Sequence, residues 1–162
     1  MKMKFFGSRL LAFVLTLIMV GAGIAGNCLN VAGNRSGVPA AAGLVAFVPM
    51  FLVGYSCVYS LILKSTVLQR SQYRETSIYM KIGAAAAAVF ALTAAIGHIV
   101  VASMGAFPEE LGKEIFAAVL WFISATASLT LFVWEMKTEY VEKRNDGTIV
   151  HKERFRRGSE TY

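Results

Sequence analysis

Four apolar blocks, separated by short polar stretches, constrain this chain more than any other feature. They cover residues 10–27, 39–63, 78–106 and 115–134. A helix needs about 20 apolar residues to cross about 30 Å of hydrocarbon, and each block is of that order. Inside lipid the backbone must satisfy its own hydrogen bonds, which favours helix over any open arrangement. The expected fold is therefore all-α: an integral membrane four-helix bundle over residues 1–136, with short loops and a charged cytosolic tail over 137–162. Composition agrees. The chain of 162 residues is 56% hydrophobic, against about 45–50% apolar for an ordinary soluble domain. The excess lies in the blocks, so it reflects spans and not a rich soluble core.

The N-terminus admits a second reading. Lys2, Lys4 and Arg9, followed by an apolar run and small residues, also describe a secretory signal peptide. The run exceeds the about 7–15 residues of such a segment, so a retained span is expected. Direction follows from Lys and Arg. The N-terminus carries Lys2, Lys4 and Arg9, the first loop Arg35, and the second Lys64, Arg70, Arg74 and, at its edge, Lys81. The third loop, FPEELGKE, carries Lys113 beside Glu109, Glu110 and Glu114, and the tail holds the remaining basic residues from Lys137 onward. This alternation places both termini and the second loop in the cytoplasm. The first and third loops then face outward. Asn34-Arg35-Ser36 is an N-glycosylation sequon in that first loop, although the nearby membrane hinders glycan transfer.

Helices in lipid associate through close backbone contact at small residues more than through apolar attraction. Gly21 and Ala25 lie four apart on the first span. Gly83, Ala87, Ala91 and Ala95 form a continuous stripe on the third, and Ser124 and Ser128 repeat at the same spacing on the fourth. These faces predict a tight bundle with the third helix central, and one stripe left over for lateral association. Phe5, Phe6, Tyr73, Tyr79, Trp134 and Tyr140 fall at span ends, as an interfacial aromatic belt requires, with Trp121 nearer the outer end of the fourth span.

An ionisable group inside a span is a functional hypothesis by default, and His98 is the clearest one. Read on its spans, the chain offers His98 no carboxylate partner, so the expectation is a hydrogen bond to a serine or tyrosine on a neighbouring helix. Glu135 is expected in solvent beside Lys137. Several chemistries lack their residues. There is no carboxylate near mid-membrane for a rotary proteolipid, no reactive cysteine pair for a quinone-type reductase, and no Cys/His cluster for a metal. Cys28 and Cys57 are placed at different depths, too far apart to pair. The net charge of +6 comes mostly from residues flanking the spans, so nucleic acid is not an expected partner. No cofactor is expected, and an enzyme is not.

In the tail, EMKTEYVEKR carries helix-forming charges, and Asn145-Asp146-Gly147 supplies a helix stop. Asp-Gly is also a hairpin signal, but the flanking alternation is loose. A helical extension followed by a disordered end is therefore expected. Lys152, Arg154, Arg156 and Arg157, with Phe155 among them, would lie on anionic lipid at about 1 kcal/mol per basic residue near the surface.

Four spans, short loops, cytosolic ends and a charged tail resemble small tetraspans of the MARVEL-like kind. The polar segment Asn27-Cys28-Leu29-Asn30 after the first span is also similar to the plant AWPM-type plasma-membrane proteins. These resemblances cover the architecture and carry over no residues. They imply a multi-pass protein of the plasma membrane or secretory pathway that organises its lipid or protein neighbours. The expected function is a non-enzymatic organiser or an accessory subunit of a membrane complex, whose partners are lipid and other transmembrane chains or itself. The alternative is a small transporter or channel with a path lined by His98, Tyr55, Tyr59 and the Pro49 break.

Overall fold

The computed structural model describes residues 2–32, 37–62, 70–105, 108–137, 140–143 and 149–152, and side chains within 11–29, 37–59, 78–105 and 108–136. The apolar blocks form four helices: α1 (Lys2–Ala32), α2 (Val38–Ile62), α3 (Arg70–Ser103) and α4 (Leu111–Lys137), the last preceded by a 3₁₀ turn at Pro108–Glu110. Each is long and apolar enough to cross a membrane, over Leu11–Leu29, Val38–Tyr59, Ile78–Ser103 and Pro108–Met136. Up to Lys137 the chain is accordingly an all-α, multi-pass membrane bundle.

The helix ends depart from the expected boundaries for local reasons. α3 stops at Ser103 because Gly105 takes a left-handed φ of 62°. That conformation lets the last carbonyls find donors: Met104 N–H donates to Val100 O at 3.0 Å and Gly105 N–H to Ala102 O at 3.2 Å. On the other side of the connection, α4 begins at Leu111. Half of the stretch FPEELGKE assigned to a loop, Leu111–Glu114, is thus the first turn of α4, and Pro108–Glu110 form the 3₁₀ turn before it. Below the bundle, the helix ends at Lys137. Two strands follow, β1 (Tyr140–Lys143) and β2 (Ile149–Lys152), paired antiparallel with Tyr140 opposite Lys152 and Lys143 opposite Ile149. The expected helical extension is therefore replaced by a hairpin, the weaker of the two signals at Asp146-Gly147; residues 144–148 lie outside the described residues.

The helices pack in a ring, α1 against α2, α2 against α3, α3 against α4, and α4 against α1. α3 holds the two most extensive interfaces, but it does not occupy a centre, because each helix has two principal neighbours. Its small-residue stripe faces inward as expected: Gly83, Ala87, Ala91 and Ala95 are buried, as are Ser124 and Ser128 on α4. A Cβ placed on Gly83 would lie 2.8 Å from Val53 Cγ2 and 3.1 Å from the Pro49 carbonyl oxygen. Only glycine permits α2 and α3 to approach so closely there. Ser124 Oγ donates across helices to Met19 O at 2.8 Å, while Ser128 Oγ donates to Ser124 O within its own helix.

Two packing expectations are corrected. On α1 the inward glycines are Gly23 and Gly26, while Gly21 and Ala25 face outward, with nothing within 4 Å of the position a Gly21 Cβ would take. Gly21 and Ala25 share a stripe, but that stripe lies on the wrong side of the helix for the bundle. Trp121 is not an interfacial ring either. It is fully buried, and Gly23, Gly26 and Gly43 from α1 and α2 leave the space it occupies. Phe47 meets it edge-on at 6.4 Å between centroids.

Candidate functional site

α4 presents a line of buried polar groups to the interior. Glu114, Trp121, Ser128 and Glu135 recur at intervals of seven, which keeps a helical position on one face, and all four are buried. The outer two are 21 residues apart (135 − 114), about 31 Å at about 1.5 Å per residue. That is close to the about 30 Å of a hydrocarbon core. The two carboxylates therefore mark opposite ends of the span. Glu135 is only 2% exposed, so it is not the solvated residue expected.

At the end where α3 connects to α4, Glu114 meets His98. The Nδ1 of His98 lies 2.6 Å from Glu114 Oε2, and both side chains are 2% exposed. This contact overturns the expectation that His98 has no carboxylate within reach. Three local features produce it. The Gly105 stop turns the chain sharply after α3. α4 begins four residues earlier than its apolar block suggests, so Glu114 becomes a first-turn helical residue. Antiparallel packing of α3 on α4 then brings His98, five residues before the end of α3 (103 − 98), level with it. The first turn of α2 closes the neighbouring side: a Cβ on Gly97 would lie 2.8 Å from Pro39 Cγ.

A buried imidazole and a buried carboxyl at this distance share one proton. The assembly is neutral as imidazole with carboxylic acid or as imidazolium with carboxylate, and the charged forms of either residue alone are costly in a low-dielectric interior. What the arrangement can do chemically is hold a proton between its two partners. Among the described residues no group of three or more His, Cys, Asp or Glu is placed to hold a metal ion. Glu110 and Lys113 lie nearer the surface and pair with each other at 3.4 Å. Deeper along the line, the indole N–H of Trp121 is buried and finds no hydrogen-bond acceptor among the described residues. Its six-membered ring edge packs against Gly43, near the Asn27 carboxamide.

The other residues of the expected path do not join His98. Tyr55 and Tyr59 stack on each other at 5.9 Å, with Tyr55 61% exposed on the outer face of α2. Pro49 and Tyr55 line an apolar groove of about 710 Å³ between α2 and α3, together with Val48, Phe51, Ile82 and Phe90. It opens sideways, since Val48, Phe51 and Ile82 are exposed, and its lining contains neither His98 nor Glu114. Asn34, Arg154, Arg156 and Arg157 lie outside the described residues, and Lys152 is described only as a backbone position of β2.

Glu114 was hidden in the sequence by its neighbours. FPEELGKE reads as a polar loop because four of its eight residues are charged. The seven-residue spacing from Glu114 to Trp121, Ser128 and Glu135 is the signal that places it on the helix. No family model, curated protein or solved structure matches this chain.

Proposed function

We propose that this protein is a non-enzymatic organiser or accessory subunit of a membrane complex, acting through helix contacts in the plane of the bilayer. The observation that carries this reading is the division of the small residues. The stripes of α3 and α4 are consumed inside the bundle around Trp121, Met19 and Met50, whereas Gly21 and Ala25 on α1 face outward. The outward positions permit close approach of a further transmembrane helix, from another protein or a second copy. With the basic alternation of its loops, the chain has both termini in the cytoplasm of a plasma-membrane or secretory-pathway membrane. The basic tail then meets anionic lipid on that side. Purification from native membrane with mass spectrometry of co-purifying chains tests the reading. A stoichiometric transmembrane partner, lost on Gly21→Leu, supports it. Recovery as a lone monomer with substrate-dependent flux overturns it.

A second reading, a small proton-coupled transporter, is favoured by the buried His98–Glu114 contact. Proton flux into proteoliposomes that disappears in Glu114→Gln supports this alternative over the first.

A further inference from the structure

We propose that His98 and Glu114 form a proton-binding site that latches α3 to α4, holding one proton in the closed bundle and releasing the two helix ends when a second arrives. The site does not depend on the organiser reading. It is built from geometry: a 2.6 Å contact between Nδ1 and Oε2, two side chains 98% enclosed, and two helices consecutive in the chain that pack on each other. With one proton the pair carries no net charge. A second makes imidazolium beside carboxylic acid, net +1. Loss of the shared proton leaves net −1. Either change leaves a net charge on a pair that is 2% exposed, and hydration of the site is the way to relieve it.

Among the described residues, the charged groups at this end besides His98 and Glu114 are Glu109, Glu110 and Lys113. The facing stretch of α1, residues 11–29, carries no charged side chain, and its titratable Cys28 is exposed. The facing stretch of α2, residues 38–59, is also uncharged. Its titratable groups, Tyr55, Cys57 and Tyr59, lie toward the opposite end, with Tyr55 17 residues along the helix (55 − 38), about 25 Å from its start. Among the described side chains of α3, the other titratable groups, Tyr79 and Lys81, are likewise at the far end. On α4 and the turn before it, Glu109 is exposed, Glu110 and Lys113 hold each other at 3.4 Å, and Glu135 is a span length away. The net charge of this end of the interior therefore follows the proton count on His98 and Glu114. Parting of His98–Ser103 from Leu111–Ala118 admits water to the pair, and Gly105 lies in the connection that must flex.

The test uses the full chain in lipid nanodiscs. Amide exchange is followed by mass spectrometry from about pH 8 to about pH 4, corrected for the intrinsic rate. Peptides covering His98–Ser103 and Leu111–Ala118 are expected to lose protection by about tenfold or more in acid, while those covering Ala84–Ala95 and Ser124–Leu131 keep it. The double variant His98→Gln with Glu114→Gln, which cannot change charge at the site, is expected to abolish the acid response. No loss of protection in the native chain overturns the proposal, as does an unchanged acid response in the double variant. Should that variant fail to insert, difference infrared spectroscopy of the native chain decides. A change in the carboxyl and imidazole bands with the same midpoint as the loss of protection supports the latch, and a different midpoint overturns it.

Discussion

Replacing Gly83 with alanine adds one methyl group at the closest approach of α2 and α3, and the structure gives the size of the effect. The new Cβ would sit 2.8 Å from Val53 Cγ2 and 3.1 Å from the Pro49 carbonyl oxygen. Val53 is β-branched and has little rotamer freedom in a helix. The Pro49 oxygen is backbone and moves only with its helix. The two helices must therefore separate by a few tenths of an ångström along a seam that also contains Ala84 and Ala87. Overpacking of this kind costs about 1–3 kcal/mol. Against it stands the helix propensity of alanine over glycine, about 1 kcal/mol. Gly54→Ala separates the two terms, because Gly54 is also a helical glycine within a span but a Cβ there meets nothing within 4 Å. The propensity gain is common to both, so their difference isolates the contact. Gly83→Ala is expected to be less stable than Gly54→Ala by about 1–3 kcal/mol, or about 5- to 150-fold in the unfolding equilibrium constant. Reversible unfolding in mixed detergent micelles, or steric trapping in bicelles, measures it. Equal stabilities of the two variants would refute the close approach at Gly83.

Other substitutions probe the polar line of α4. Either His98→Ala or Glu114→Ala alone is expected to cost about 3–5 kcal/mol, since each leaves a buried polar partner exposed to a dry interior; a double-mutant cycle in the same unfolding assay must show strong coupling. Trp121→Phe removes a buried donor that has no acceptor among the described residues, so it is expected to stay within about 1 kcal/mol of the native chain. Trp121→Ala opens a large cavity and is expected to cost about 3–5 kcal/mol, and equal losses for the two variants would show that the indole N–H is satisfied. Ser124→Ala removes the hydrogen bond to Met19 O and is expected to cost about 0.6 kcal/mol, near the average for such bonds in a membrane bundle.

The spans were legible in the sequence because their length and lack of charge leave a chain in lipid few options. The inward stripe of α3 was legible too, since Gly83, Ala87, Ala91 and Ala95 repeat at helical spacing along a single face. On α1 the same rule did not say whether the stripe meets the bundle or is the one left over. Gly21 and Ala25 have the required spacing, but so do other pairs on that glycine-rich helix, and spacing alone does not say which face meets the bundle. Trp121 and Glu114 were misplaced for a related reason. An indole near a span end fits an interfacial belt, and a glutamate among charged neighbours fits a loop; only packing against Gly26 and Gly43, and against His98, draws them inside. In the tail, two short segments with loose alternation gave a weaker signal than the helix-forming charges beside them, yet they pair as β1 and β2.

The site rests on His98 and Glu114 meeting across α3 and α4 inside the membrane. Solid-state NMR of the chain in bilayers, with ¹⁵N-labelled histidine and ¹³C-labelled glutamate, measures that contact directly. A correlation between His98 Nδ1 and the Glu114 carboxyl carbon, absent in Glu114→Gln made with the same labels, is the predicted result, consistent with the 2.6 Å separation of Nδ1 and Oε2. No transfer between the two, with the Glu114 carboxyl in contact with bulk water, would contradict it.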